Sequence, residues 1–477
     1  MTQSTDRGSA ARPTPTDAEP PAGGIFSRRY LVMTLGTTAL VFLSAFESLA
    51  VTTVMPLVVA DLGGRSAYAT AFAATLAASV VGMVAAGSWS DRRGPARPLL
   101  AAVVVFCVGL LVAALAPSMP VFVAGRFLQG LGSGGISVTL YVLVALAFPP
   151  ALRPAVFGAF AAAWVLPSIV GPAAAAFVAT TWSWHWVFSG VLVLVLVAAG
   201  AVLPTLLRVR APVTSSDAFP TGRFLAAAGT SLAVVAVSSA GSLGGSALWR
   251  WLAAAVALAV LVVAVRPLLP AGTLTGRPGL PSVVLLRGLL AATFFSTEVH
   301  LPRMLFERFD VSLRLAGIVL TAAAVAWASA SAVQGRLGPR LPHVRAVRIG
   351  TVLLLVGVAA QAAVALVDPG SVAAAVGCAL GWFAAGAGMG LGFPRTTVLV
   401  LEQSTPGQEG SGSSALTIAD AVGGGTAMAL TGLTFTAFAA VSGWASFAGT
   451  LPLCTALAVL ALVAARRVGQ PVSQPAH

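Results

Sequence analysis

Glu47, Arg126, Glu298 and Asp420 are ionisable side chains set inside long runs of apolar residues. On membrane-insertion scales a residue such as Asp or Arg at the centre of a span costs roughly 2.5–3.5 kcal/mol. A chain that keeps such groups commonly uses them to hold a proton or a polar ligand part-way across. Glu47 lies in Phe46-Glu47-Ser48-Leu49-Ala50-Val51-Thr52-Thr53-Val54-Met55-Pro56, and Arg126 in Gly125-Arg126-Phe127-Leu128-Gln129-Gly130-Leu131-Gly132. A lone cation at Arg126 calls for a carboxylate partner, or for backbone carbonyls that hold it as a structural arginine. Glu298 and His300 stand close before Pro302, and Asp420 lies in Ala419-Asp420-Ala421-Val422-Gly423-Gly424-Gly425. Glu298 and Asp420 read as cavity carboxylates that recognise a cation or carry a second proton. The plainer alternatives are an outer helix end for Glu298 and a hydrogen bond in a Gly-rich interface for Asp420. His300 reads as interfacial.

These residues need helices to place them. The 477-residue chain is 58% hydrophobic and 9% charged, with mean hydropathy +0.94. Soluble domains carry about 25% charged residues, so the expectation is an all-α polytopic membrane protein. Apolar runs of a length that crosses ~30 Å of hydrocarbon fall near 30–58, 67–88, 98–117, 120–147, 155–179, 186–207, 223–242 and 247–269. Six more fall near 280–302, 312–333, 346–366, 371–400, 411–439 and 443–465. A twelve-span reading would make 208–279 a soluble loop, but Phe224 to Leu248 and Trp251 to Val265 carry no charge. We therefore expect 14 transmembrane helices.

All 27 basic residues are Arg, and the formal net charge is +13. With abundant Ala and Gly, this usage fits a GC-rich bacterial genome. The arginines collect in short connections as topology determinants do, and they do not signal nucleic acid. Counting Arg287 and Arg395 with the inner side and Arg303 and Arg308 with the outer, the bias puts both termini in the cytoplasm, in a cell membrane. Cys107, Cys378 and Cys454 lie apart in apolar runs, with neither disulfide nor metal spacing. No metal-spaced His/Cys cluster, Gly-Lys-Ser/Thr phosphate loop or nucleophile elbow is present, so neither an enzyme, a cofactor nor ATP-driven work is expected.

The connection Gly87-Ser88-Trp89-Ser90-Asp91-Arg92-Arg93-Gly94-Pro95-Ala96-Arg97 reads as a short basic loop between two spans. It resembles the loop signature of the major facilitator superfamily at Gly87, Asp91, Arg92, Gly94 and Leu99, and departs from it at Trp89, Pro95 and Ala96. The Arg126-x-x-Gln129-Gly130-x-Gly132 pattern resembles the fourth-helix motif of the same superfamily. Gly171-Pro172 in span five resembles the core of its antiporter signature, with Pro167, Ala175 and Ala176 where glycines are usual; generic small-residue packing is the alternative. The acid before Pro56 resembles the first helix of the fourteen-span drug/proton antiporter type, which usually has Asp. Trp182-Ser183-Trp184-His185-Trp186 reads as an interfacial aromatic belt. Gln334-Gly335-Arg336-Leu337-Gly338-Pro339-Arg340 looks like a worn second copy of the charged loop, as an internal duplication would leave.

The resemblance implies two six-helix bundles with two extra helices between them. The division would be a disordered cytoplasmic tail over 1–28, a first bundle over 29–209, the extra pair over 210–270, a second bundle over 271–467 and a tail over 468–477. It implies Glu47 as the partner of Arg126: pairing favours the ionised acid, apolar surroundings the neutral one. It further implies a cytoplasmic latch at Gly87, Asp91, Arg92 and Gly94, and helix packing or bending at Gly130, Gly171 and Pro172. The expected function is proton-coupled export of small hydrophobic or cationic compounds by a monomer working through alternating access. The rivals are an uptake or facilitated-diffusion carrier for one metabolite, and a non-transporting scaffold or sensor.

Overall fold

The computed structural model describes residues 24–64, 67–149, 152–207, 221–243, 246–337, 340–367, 370–403, 409–439 and 444–469. Most of the two expected tails, Arg208 and Arg210, and Gly338 and Pro339 of the second charged loop lie outside these residues. Among the described residues there are fourteen helices long and apolar enough to span a membrane, and no strand. The first six are α1 (Leu31–Leu62), α2 (Tyr68–Arg93), α3 (Ala96–Ala114), α4 (Met119–Ala147), α5 (Arg153–Thr181) and α6 (His185–Leu206). Two follow as α7 (Thr221–Ser239) and α8 (Ala247–Val265). The last six are α9 (Leu280–Glu307), α10 (Leu313–Leu337), α11 (His343–Leu366), α12 (Ser371–Gln403), α13 (Glu409–Ala439) and α14 (Ala445–Arg467). With backbone hydrogen bonds closed inside each helix, such segments are a form that an apolar chain can take in lipid.

Two apolar cores organise the molecule. One draws on α1 to α8 and the other on α9 to α14, and Val299, Phe295, Met428 and Ala429 tie the second bundle to the first core. Helix α7 wedges against both bundles: Thr70 Oγ1 of α2 donates to Ser238 O at 3.2 Å, and Ala227 packs with Val80 of α2 and Ile418 of α13. Helix α8 packs chiefly on α7 and turns Leu248, Trp249, Val256 and Val263 outward.

We call the side where α1 begins the near end and the side where it finishes the far end. At the far end the bundles touch directly. Tyr68 Oη of α2 donates to Val299 O of α9 at 3.0 Å, and Arg314 Nε of α10 donates to Thr180 Oγ1 of α5 at 3.3 Å. Deeper in, Thr321 Oγ1 donates to Ile169 O at 3.3 Å.

Two helices outrun their expected ends the furthest, by five residues each. Helix α2 continues to Arg93, so Gly87, Asp91 and Arg92 are helical and the connection to α3 is only Gly94-Pro95. Gly94, at φ 75°, stops the helix, and its N–H bonds back to Ser90 O. Helix α9 continues five residues past the expected 302, to Glu307. Apolar length reports the thickness of hydrocarbon, while the backbone hydrogen bonds carry on through the polar layer until a residue breaks them.

Candidate functional site

Glu47 sits 16 residues into α1, which at 1.5 Å per residue places it ~24 Å from either helix end. Arg126 is seven residues into α4. Their side chains are 5% and 3% exposed and form an ion pair, Arg126 Nη1 to Glu47 Oε1. The same Nη1 donates to Gln129 Oε1, one turn along α4. Thr75 Oγ1 of α2 ties in the backbone by donating to Arg126 O at 3.1 Å. Gly130 makes this possible: a Cβ there would lie 2.1 Å from Thr75 O, so only a bare glycine lets α2 and α4 close to this distance. Arg126 Nε and Gln129 Nε2 find no acceptor among the described residues. Two buried donors are thus left over, and burying such groups unpaired is costly.

A second ion pair lies in the other bundle. Asp420, on α13, accepts from Arg287 of α9 in a bidentate fork, Nε to Oδ1 at 2.7 Å and Nη2 to Oδ2 at 2.9 Å. Arg287 Nη1 donates to Phe393 O at 2.8 Å and to Thr396 Oγ1 at 3.0 Å, and the guanidinium lies 3.1 Å from the Phe393 ring centre. The close approach of α9 and α13 comes at Gly423, where a Cβ would lie 2.2 Å from Gly288 O. Arg287, Arg395 and Arg303 therefore correct the expected charge map. Each is buried within a helix, and protein acceptors or rings stand in for water. Arg395 bonds Gln334 and His343; Arg303 bonds Glu307 and lies over the Tyr68 and Phe435 rings. The signal was present, since Arg287 and Arg395 both fall inside the spans expected from apolar length.

Glu298 is half-buried in α9, nine residues before the helix ends, so it is no helix-end carboxylate. It lies 11 residues from Arg287, about three helical turns, and hence on the same face of α9. His300 is a correction too: it is 1% exposed rather than interfacial, stacked at 5.5 Å on Phe435, and neither ring nitrogen has a partner among the described residues. His300, Arg303, Tyr68, Ala69, Gly432 and Phe435 meet so closely that no water fits among them.

The packing residues divide. Pro172 serves a close approach across the bundles, since a Cβ on Gly317 of α10 would lie 3.1 Å from its carbonyl oxygen. Gly171 does not: an added Cβ would meet Phe46 at 3.6 Å and Leu49 at 3.9 Å, ordinary contact distances, so α5 and α1 do not depend on its lacking a side chain.

The sequence profile described as Major Facilitator Superfamily matches residues 37–428, which takes in the helices that carry both ion pairs. The chain belongs to the major facilitator superfamily. A probable multidrug-efflux transporter of Mycobacterium tuberculosis is 25% identical over 426 residues, 85% of this chain and 88% of that one. Multidrug resistance protein 3 of Bacillus subtilis is 32% identical over 154 residues, 32% of this chain and 30% of that protein. The match thus spans under a third of that relative's length. Among solved structures, a crystal structure of a POT family transporter in complex with 5-aminolevulinic acid superposes with TM-score 0.65 at 14% identity, covering 93% of this chain and 96% of that one. The crystal structure of a D-xylose–proton symporter superposes with TM-score 0.61 at 17% identity, covering 91% and 96%. At such identities these structures speak for the fold. Within the superfamily architecture, the Glu47–Arg126 pair joins the first and fourth helices of one bundle, and the Arg287–Asp420 pair joins the first and fifth helices of the other.

Proposed function

We propose that the protein is a proton-coupled exporter of small hydrophobic or cationic compounds that works by alternating access of its two bundles. The observation that carries this reading is the Glu47–Arg126 pair, sealed at mid-depth with donors to spare. Stability alone is a poor reason to keep such a pair, because desolvation offsets most of the attraction between the charges. A carboxylate that exchanges between an arginine and a proton is a good reason. In this scheme protonation of Glu47 releases Arg126, whose guanidinium keeps Gln129 and turns to other acceptors, and the α1–α4 contact changes. A ligand or proton shifts the two-state balance only by the difference in its affinity for the two states. The efflux names of the relatives support export, and the closed far end is one of the two arrangements the cycle requires.

Glu298 and Asp420 are the second-bundle acids of the scheme. Glu298 has no partner among the described residues, whereas Asp420 is held by Arg287 and becomes available to a cationic substrate when that fork opens. The end of α2, with Gly87, Asp91, Arg92 and Gly94, is the latch between states. It lies on the cytoplasmic side, along with both termini, in a monomer divided at 29–209, 210–270 and 271–467.

The test is purified protein in liposomes with an imposed pH gradient and a fluorescent cationic dye. The wild-type chain should move dye against its gradient, in the direction opposite to the proton flow. Glu47→Gln should lose uphill transport and keep downhill exchange. Arg126→Ala should insert normally and lose coupling. Full coupled transport in either variant overturns the assignment.

A further inference from the structure

The end of α14 and the turn that leads into α9 build a basic cavity that the ion pairs do not use. Its volume is about 470 Å³, and Thr275, Gly276, Arg277, Pro278 and Arg467 line it, with no acid among them. Arg467 is held in place by donating from Nη1 to Thr275 O at 2.9 Å. The negative end of the α14 dipole does not quench these charges, because Arg348 already takes it. Its Nε donates to Ala465 O at 3.3 Å and its Nη2 to Arg466 O at 3.2 Å.

An apolar track runs away from this cavity. On α14, Val463 and Leu460 lie one and two turns behind Arg467 on the same face, 46% and 53% exposed. Leu274, next in sequence to the lining residue Thr275, is 43% exposed. At 23 residues α14 is ~35 Å long, so Arg467 stands at the edge of a ~30 Å hydrocarbon layer. Cations at headgroup depth above an outward apolar stripe match an amphiphile with a negative head.

We propose that this cavity binds the headgroup of an anionic phospholipid, its phosphate between Arg277 and Arg467 and an acyl chain along Val463 and Leu460. The proposal does not depend on the transport reading. It is tested by native mass spectrometry of the full chain in detergent, titrated with phosphatidylglycerol or with phosphatidylcholine of the same chain length. Wild type should hold phosphatidylglycerol in preference. The Arg277→Gln/Arg467→Gln variant should bind it about thirtyfold more weakly, from ~1 kcal/mol for each arginine. The double Lys variant should keep most of the affinity. Should the double Gln variant not fold, the single variants carry the test, each about fivefold weaker. Equal binding of phosphatidylcholine, undiminished binding in the Gln variants, or the same loss on Arg93→Gln at the same end overturns the proposal. Inorganic phosphate that binds as tightly as the lipid overturns the lipid assignment and identifies a free-anion site.

Discussion

Cutting the Glu47–Arg126 pair at the arginine gives a penalty whose size can be worked out. In Arg126→Ala the Glu47 carboxylate stays in place, at 5% side-chain exposure, with its guanidinium partner gone. Removing one partner of a buried pair costs about 3–5 kcal/mol. The carboxylate can escape by taking up a proton, and that sets a ceiling. For a free glutamic acid with pKa near 4.3, neutralisation at pH 7 costs roughly 3.7 kcal/mol, at 1.36 kcal/mol per unit. The two figures agree, and we expect Arg126→Ala to be ~3.5–4 kcal/mol less stable than wild type at pH 7. The proton route costs only ~1.6 kcal/mol at pH 5.5, so the deficit should shrink as pH falls. The assay is equilibrium unfolding in mixed micelles, followed by tryptophan fluorescence, with Glu47→Gln and the Glu47→Gln/Arg126→Met double variant closing a thermodynamic cycle. The double variant should recover at least ~2 kcal/mol of the summed single losses, since coupled pairs reach 0.5–3 kcal/mol. Additivity within ~0.5 kcal/mol, or a pH-independent deficit, refutes the reasoning.

Three further outcomes follow from the packing. Gly130→Val should block assembly of α2 on α4, because its Cβ would already lie 2.1 Å from Thr75 O; the check is loss of the monodisperse peak in size-exclusion chromatography, with Gly171→Ala as a tolerated comparison. Tyr68→Phe removes the bond to Val299 O, worth about 1 kcal/mol, and should shift the far end about fivefold toward opening, read from labelling of a cysteine placed at Ala69. His300→Phe should be neutral or stabilising in the same unfolding assay, since it keeps the stack on Phe435 and removes two unpartnered nitrogens.

The fourteen spans were legible because a helix that crosses hydrocarbon demands a long apolar run, with its backbone hydrogen bonds closed inside the same segment. Glu47 and Arg126 stood out for the same reason, as the expense of a charge in lipid makes each visible one residue at a time. Gly130 carried its meaning in the fourth-helix pattern. Other features depended on what lies opposite. Arg287 looks like a topology arginine until α13 brings Asp420 to it, and His300 looks interfacial until α2 and α13 close over it. Gly171 and Pro172 are neighbours in the chain, yet only Pro172 takes part in a close approach, because α10 crosses there. Arg277 and Arg467 are 190 residues apart and become one cavity only when α14 ends beside the turn into α9. Local composition determines which segments enter the membrane and which charges are costly. Only the crossing of helices distant in sequence decides which charge meets which, since pairing is a property of two surfaces and each stretch of sequence records one.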